Sequence, residues 1–274
     1  MKVSTSSGIV TGMIKRGVAM WRGIPYATAP RFRAPGPAPS WSGERDCVKF
    51  GPVAVQSRDP RVAVMSGVGE QIAMSEEALV LNVVAPIPDG RARPVVVWIH
   101  GGAFVMGSGS TPIYDGTSFA ANHGVVVVTI NYRLGLLGFL AVHETNVALL
   151  DQIAALRWVK DNIAGFGGDP DRVTVMGESA GAVSIANLLA MPAARGLFQR
   201  AILESGGARL SPLTRDDTDA MTREATEALG DPDAASIDAI LKLQDRIAAK
   251  GGLAAFAPSV DGVHIPISPS AAIA

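Results

Sequence analysis

The sequence predicts an α/β protein whose mostly parallel sheet carries helices on both faces. Two observations carry that prediction. From residue 79 onward, short apolar runs alternate with segments of helical period, and strands joined through helices run parallel. The run Val125-Val-Val-Val-Thr-Ile130 is apolar at all but one position and strand-length, as a strand buried on both sides should be.

Taken in order, residues 8–27 alternate apolar and polar around Gly12 and Gly17, which predicts a short antiparallel meander. The Pro-, Gly- and Ser-rich stretch 28–45 reads as loop. Strands are expected at 79–85, 94–99, 125–132, 173–176 and 200–204, with helices near 115–123, 146–164 and 180–190. In 146–164, Leu149, Ile153, Leu156, Val159 and Ile163 share one face, and Gly167-Gly168-Asp169-Pro170 stops the helix. Two polar helices, about 215–229 and 235–249, are separated by Gly230 and Asp231-Pro232. They read as a cap or insertion over about 207–256, within a single domain spanning 1–274.

Composition excludes several classes of function. With 48% hydrophobic residues in 274 there is ample material for a core. A net charge of −1 with scattered Lys and Arg argues against nucleic acid or an anionic membrane as partner. The longest apolar runs are strand-length, and the N-terminus lacks the apolar stretch of a signal peptide. The single cysteine, Cys47, excludes an internal disulfide, has no metal-ligand spacing around it, and reads as a small buried apolar residue. The expectation is a cytoplasmic protein with no metal.

The segment Val173–Ile185, Val-Thr-Val-Met-Gly-Glu-Ser-Ala-Gly-Ala-Val-Ser-Ile, organises the chain. Its alternating apolar run stops at Gly177, Ser179 follows, then Gly181, and the pattern switches to a helical period. In such a strand–turn–helix, small neighbours permit a strained backbone that lifts the serine Oγ clear of the sheet. The Ala180 N–H then points at the same space. A second small-residue turn, His100-Gly-Gly-Ala-Phe104, follows the strand Pro94–Ile99 and can aim backbone N–H groups at a developing oxyanion.

These two motifs, with Trp21-Arg-Gly-Ile-Pro-Tyr-Ala27, Ser75–Asn82, Asn131-Tyr-Arg-Leu-Gly135, Leu149-Leu-Asp-Gln152, Phe166–Pro170 and Ala201–Gly206, resemble the type-B carboxylesterase and cholinesterase family. The resemblance covers nearly the whole chain and implies the α/β-hydrolase fold. It also implies that Ser179 is the acyl-forming nucleophile and that Gly102, Ala103 and Ala180 supply the oxyanion-hole N–H groups. Glu178 would shape the pocket, and Ser205 would support the triad acid. Arg31 with Glu76, and Arg133 with Asp151, match family ion pairs that tie loops to the core. The implied reaction is hydrolysis of a small-molecule carboxylic ester through an acyl-enzyme, with no cofactor.

Departures from the family bear on activity. Its triad glutamate and histidine lie beyond the segment that Val260–Pro266 resembles, so this chain is expected to be C-terminally incomplete, without the last sheet strands. None of the four histidines stands at the family's base position; His264 could instead fold back over the site. Strand 200–204 should be a naked edge, so a complementing C-terminal chain or homo-oligomer is expected. The alternative is a catalytically inactive truncated or binding domain of the same fold. Positions matching the family's first disulfide are Ala54 and Ala78, in keeping with a reducing compartment.

Overall fold

The computed structural model describes residues 1–57, 73–208, 213–252 and 255–274. Its centre is a mixed sheet of seven strands: β1 (Met13–Lys15), β2 (Val18–Pro25), β3 (Val80–Pro86), β4 (Arg93–Ile99), β5 (Val126–Ile130), β6 (Gly168–Glu178) and β7 (Arg200–Glu204). Their spatial order is β7-β6-β4-β5-β3-β2-β1. Pairing is parallel from β5 through β4 and β6 to β7, and antiparallel from β5 through β3 and β2 to β1. All five residues of β5 are buried, as its apolar run predicts. Strand β6 is longer than expected, reaching back to Gly168, with a register irregularity before Val173.

The helices are α1 (Thr117–His123), α2 (Gly135–Phe139), α3 (Val147–Asn162), α4 (Ala180–Ala190), α5 (Arg215–Leu229), α6 (Ile237–Gly251) and α7 (Pro269–Ile273). Leu149, Ile153, Leu156 and Val159 on α3 are all buried, as is Ile163 in the 3-10 turn that follows. The 28–45 stretch is mostly loop but contributes short strands at Gly36–Pro37 and Glu44–Asp46, the latter completing a small sheet with Lys2–Thr5 and Gly8–Thr11. Cys47 is fully buried, and burial pushes its thiol up to about 11.

Helices α5 and α6 lie off the sheet and start on side-chain caps. Thr214 and Asp217 form a capping box, and the Ser236 hydroxyl accepts from the Ala239 N–H. They dock on α2: Gln244 Oε1 accepts from the Leu136 N–H at 3.2 Å, and Thr222 Oγ1 accepts from the Ala141 N–H at 3.0 Å. Arg31 holds their connection, donating to the carbonyls of Asp233 and Ala235 while it forks onto both oxygens of Glu76. The 207–256 boundaries run across positions 209–212 and 253–254, which lie outside the described residues. Nothing local marks α2, a five-residue turn of Gly, Leu and Phe too short to show a period.

The second ion pair is buried deep at the end of β5. Arg133 donates to Asp151 through its backbone N–H, Nε and Nη2, at 3.1, 2.8 and 2.7 Å. Asp151 is completely buried, so burial pushes its carboxyl up while these three donors hold it ionised. The pair fixes the chain just before α2 and beside the turn that follows β4.

Candidate active site

Strand β6 ends at Glu178, helix α4 begins at Ala180, and Ser179 alone makes the turn between them. Its φ of 53° and ψ of −117° lie in a region that a residue with a Cβ adopts only when its surroundings force it. Glycines supply that force by allowing close approach. A Cβ on Gly181 would sit 2.0 Å from the Ile99 carbonyl oxygen, and one on Gly177 would sit 2.7 Å from the Gly181 carbonyl carbon. The Ser179 N–H donates to Glu204 O on β7 at 2.9 Å, and Ser179 O accepts from the Val183 N–H at 2.9 Å.

The turn after β4 runs alongside. A Cβ on Gly101 would lie 3.3 Å from the Ser179 Cβ and 2.7 Å from the Glu178 carbonyl oxygen, so the two turns are in contact. Gly102, Ala103 and Phe104 all have positive φ, at 114°, 52° and 61°. No acceptor among the described residues takes the N–H of Gly102, Ala103 or Ala180. Three backbone donors are thus left free beside Ser179, on two turns already held rigid.

Buried groups beneath hold the turn. His100 Nδ1 lies 2.8 Å from Gly101 O, and because a carbonyl only accepts, Nδ1 carries the proton. The ring stacks on Tyr132 with centroids 4.4 Å apart, and the Tyr132 hydroxyl donates to His100 O at 2.6 Å. Burial lowers the His100 pKa to about 4, so the ring is neutral near pH 7. Tyr132 stands in the Asn131–Gly135 motif, but only the fold brings its hydroxyl under the turn after β4. At the start of α2, Gly135 N donates to Phe104 O at 2.7 Å, closing the far side.

The turn that carries Gly102 and Ala103 meets the turn of Glu178, Ser179 and Ala180 through Gly101. Ser205 follows β7 with a φ of 52°. The other histidines are engaged elsewhere: His143 Nε2 pairs with Asp233, His264 Nε2 lies 2.8 Å from Glu144 Oε1, and His123 ends α1 beside Phe119. His264 therefore turns Nε2 to Glu144, a partner that sequence spacing could not reveal. Among the described residues, no group of three or more His, Cys, Asp or Glu side chains could hold a metal ion, and no helix is long and apolar enough to cross a membrane.

Sheet order, strand directions and the turn at Ser179 together define an α/β-hydrolase. Solved structures agree: a para-nitrobenzyl esterase superposes with a TM-score of 0.92 at 41% identity, covering 100% of this chain and 60% of that one. A Geobacillus stearothermophilus carboxylesterase superposes with a TM-score of 0.88 at 42% identity, covering 99% and 58%. The chain belongs to the carboxylesterase family, whose sequence profile matches residues 1–274. It is 44% identical to the para-nitrobenzyl esterase of Bacillus subtilis (strain 168) over 293 aligned positions, covering 99% of this chain and 59% of that protein. It is also 44% identical to a phenmedipham hydrolase of Pseudarthrobacter oxydans, covering 84% and 48%. The chain therefore spans between about half and three fifths of the length of these relatives.

Proposed function

We propose that this chain is the nucleophile-bearing part of a serine carboxylesterase, a single α/β-hydrolase domain with 207–256 as a helical cap. Ser179 Oγ attacks the carbonyl carbon of a small-molecule carboxylic ester. The oxyanion that forms takes hydrogen bonds from the Gly102, Ala103 and Ala180 N–H groups, the alcohol leaves with a proton, and water then releases the acid from Ser179. Glu178 shapes the pocket, and Ser205 supports the triad acid. The observation that carries this reading is the Ser179 backbone, strained at φ 53° beside three unclaimed N–H donors. Strain of this kind persists only where the surroundings over-determine it, and it clusters at reacting residues.

The proton acceptor for Ser179 is the open part of the mechanism. No histidine among the described residues hydrogen-bonds Ser179 Oγ: His100 is buried and stacked, His123 ends α1, and His143 and His264 face Asp233 and Glu144, so we assign the base to a complementing C-terminal segment. The greater length of the relatives supports this assignment. A binding domain without turnover is the second reading, favoured by the same engaged histidines. The single buried cysteine supports a cytoplasmic setting.

The test is hydrolysis of p-nitrophenyl butyrate and labelling by a fluorophosphonate, each compared between wild type and Ser179→Ala. Loss of the serine from an intact triad costs on the order of a million-fold in kcat, and loss of the histidine alone costs about as much, so the full contrast appears only where a base is present. Turnover and labelling that both vanish in Ser179→Ala support the esterase reading. Labelling without turnover places the base outside the chain. Neither one in a folded sample is resolved by adding the C-terminal part as a second chain: restored Ser179 labelling supports the esterase reading, and continued silence refutes an activated Ser179 and leaves the binding reading.

A further inference from the structure

A trans peptide is planar, so the direction of an N–H is fixed by whatever holds the carbonyl of the same peptide. The Gly102 N–H shares its plane with Gly101 O, and the Ala103 N–H shares its plane with Gly102 O. Gly101 O accepts from His100 Nδ1 at 2.8 Å, and Gly102 O accepts from the Val105 and Met106 N–H groups at 3.0 and 3.1 Å. Both planes lean on residues 105–107. A Cβ on Gly102 would sit 2.2 Å from Met106 O, and one on Gly107 would sit 2.6 Å from Gly101 O and 2.5 Å from His100 Nδ1. The aim of the two donors therefore depends on what anchors Gly107.

That anchor is Gln56, a side chain 51 positions away and only 4% exposed. Its Oε1 accepts from the Gly107 N–H at 3.0 Å, and its Nε2 donates to Gly107 O and to Ala54 O, each at 3.1 Å. The amide thus grips both polar atoms of the Gly107 backbone and spends both of its own protons. Among the described residues, no other side chain from outside 100–107 hydrogen-bonds residues 101–107. The segment that carries Gln56 is tied to the sheet in turn, since Asn131 Nδ2 donates to Pro52 O at 3.0 Å. We propose that Gln56 is a positioning residue. By locking Gly107 it seats His100, Gly101 and Met106, and through them it sets the direction of the Gly102 and Ala103 N–H groups. The inference rests on the reading of those two groups as oxyanion donors.

Amide exchange followed residue by residue needs no turnover and tests the lock directly. Gln56→Met keeps the side-chain volume, removes all three hydrogen bonds and leaves the Gly107 N–H buried without an acceptor. Exchange at Val105 and Met106 should speed up about tenfold or more, with β5 staying within a few-fold of wild type. Gln56→Glu adds a reversal, and carries the test alone if Gln56→Met does not fold. Its protonated carboxyl can accept from the Gly107 N–H and donate to Gly107 O, whereas the ionised form faces two carbonyl oxygens with no proton to give. Burial raises such a carboxyl, so the excess exchange over wild type at the same pH should shrink between about pH 7 and about pH 5. The second readout is fluorophosphonate labelling of Ser179, with the C-terminal part added where wild type alone is silent. In Gln56→Met the limiting rate should fall about tenfold or more while the half-saturating concentration moves no more than a few-fold. That split is expected when contacts made only in the transition state are lost. Unchanged exchange at Val105 and Met106 overturns the proposal, as does acceleration that β5 shares equally. So does an excess in Gln56→Glu that ignores pH, or an unchanged limiting rate in a variant whose turn has loosened. A wild type that never labels sinks the esterase reading alone and leaves exchange to decide the lock.

Discussion

Acid should loosen the turn after β4 through a single ring. His100 is 1% exposed, lies against Tyr132 and spends its one proton on the Gly101 carbonyl, which leaves Nε2 buried without a partner. Burial lowers its pKa to about 4, while in the unfolded chain the same ring titrates near 6.5. Between those values the unfolded state binds a proton that the folded state refuses, so stability falls as the pH drops through the window. From about pH 7 to about pH 4.5 the loss assigned to this ring is about 2 kcal/mol. The variant His100→Gln keeps a donor for the Gly101 carbonyl and carries no titrating group. Urea unfolding of both proteins at the two pH values, at one protein concentration, isolates the difference. Wild type should lose about 2 kcal/mol more than the variant. Equal losses would refute the claim that a neutral, buried His100 supports the turn.

Two further outcomes follow from packing. Arg133→Met strands the buried Asp151 carboxylate and should cost about 3–5 kcal/mol in urea unfolding, whereas adding Asp151→Leu to it should recover much of that loss. A double variant no more stable than the single one would contradict a charge-driven penalty. Gly181→Ala places a Cβ 2.0 Å from the Ile99 oxygen, so the elbow must shift. Fluorophosphonate labelling at Ser179 should drop steeply in that variant even where its far-ultraviolet circular dichroism matches wild type. Undiminished labelling would show that Gly181 is not needed for the geometry of the turn.

The sheet strands, α3, α4 and the two outer helices are legible in the sequence because each is governed by local rules: period, caps and breakers. The nucleophile turn is legible too, since Gly177 and Gly181 mark where backbones touch. The ion pairs Arg31 with Glu76 and Arg133 with Asp151 emerge from motif resemblance and are present as bidentate contacts. Other contacts escape such reading because they join residues far apart in sequence. The Tyr132 hydroxyl reaches His100 across two strands, Thr222 and Gln244 cap the backbone around α2, and His264 turns to Glu144. Nothing local marks any of these side chains for its partner. A bare rim at β7 is what the resemblance implies, and among the described residues nothing pairs with its outer side.

The hydrogen bond from the Ser179 N–H to the Glu204 carbonyl makes the rim strand part of the nucleophile's mounting. Sheet margins are where structures breathe first, with opening free energies well below that of global unfolding. Here fraying of β7 would release the serine's own amide, so the backbone of the nucleophile shares the lifetime of that strand. Amide exchange at Ser179 should therefore keep time with exchange along 200–204. Whatever steadies that margin also sharpens the aim of the hydroxyl, and a loosened margin would silence the serine long before the core had begun to melt.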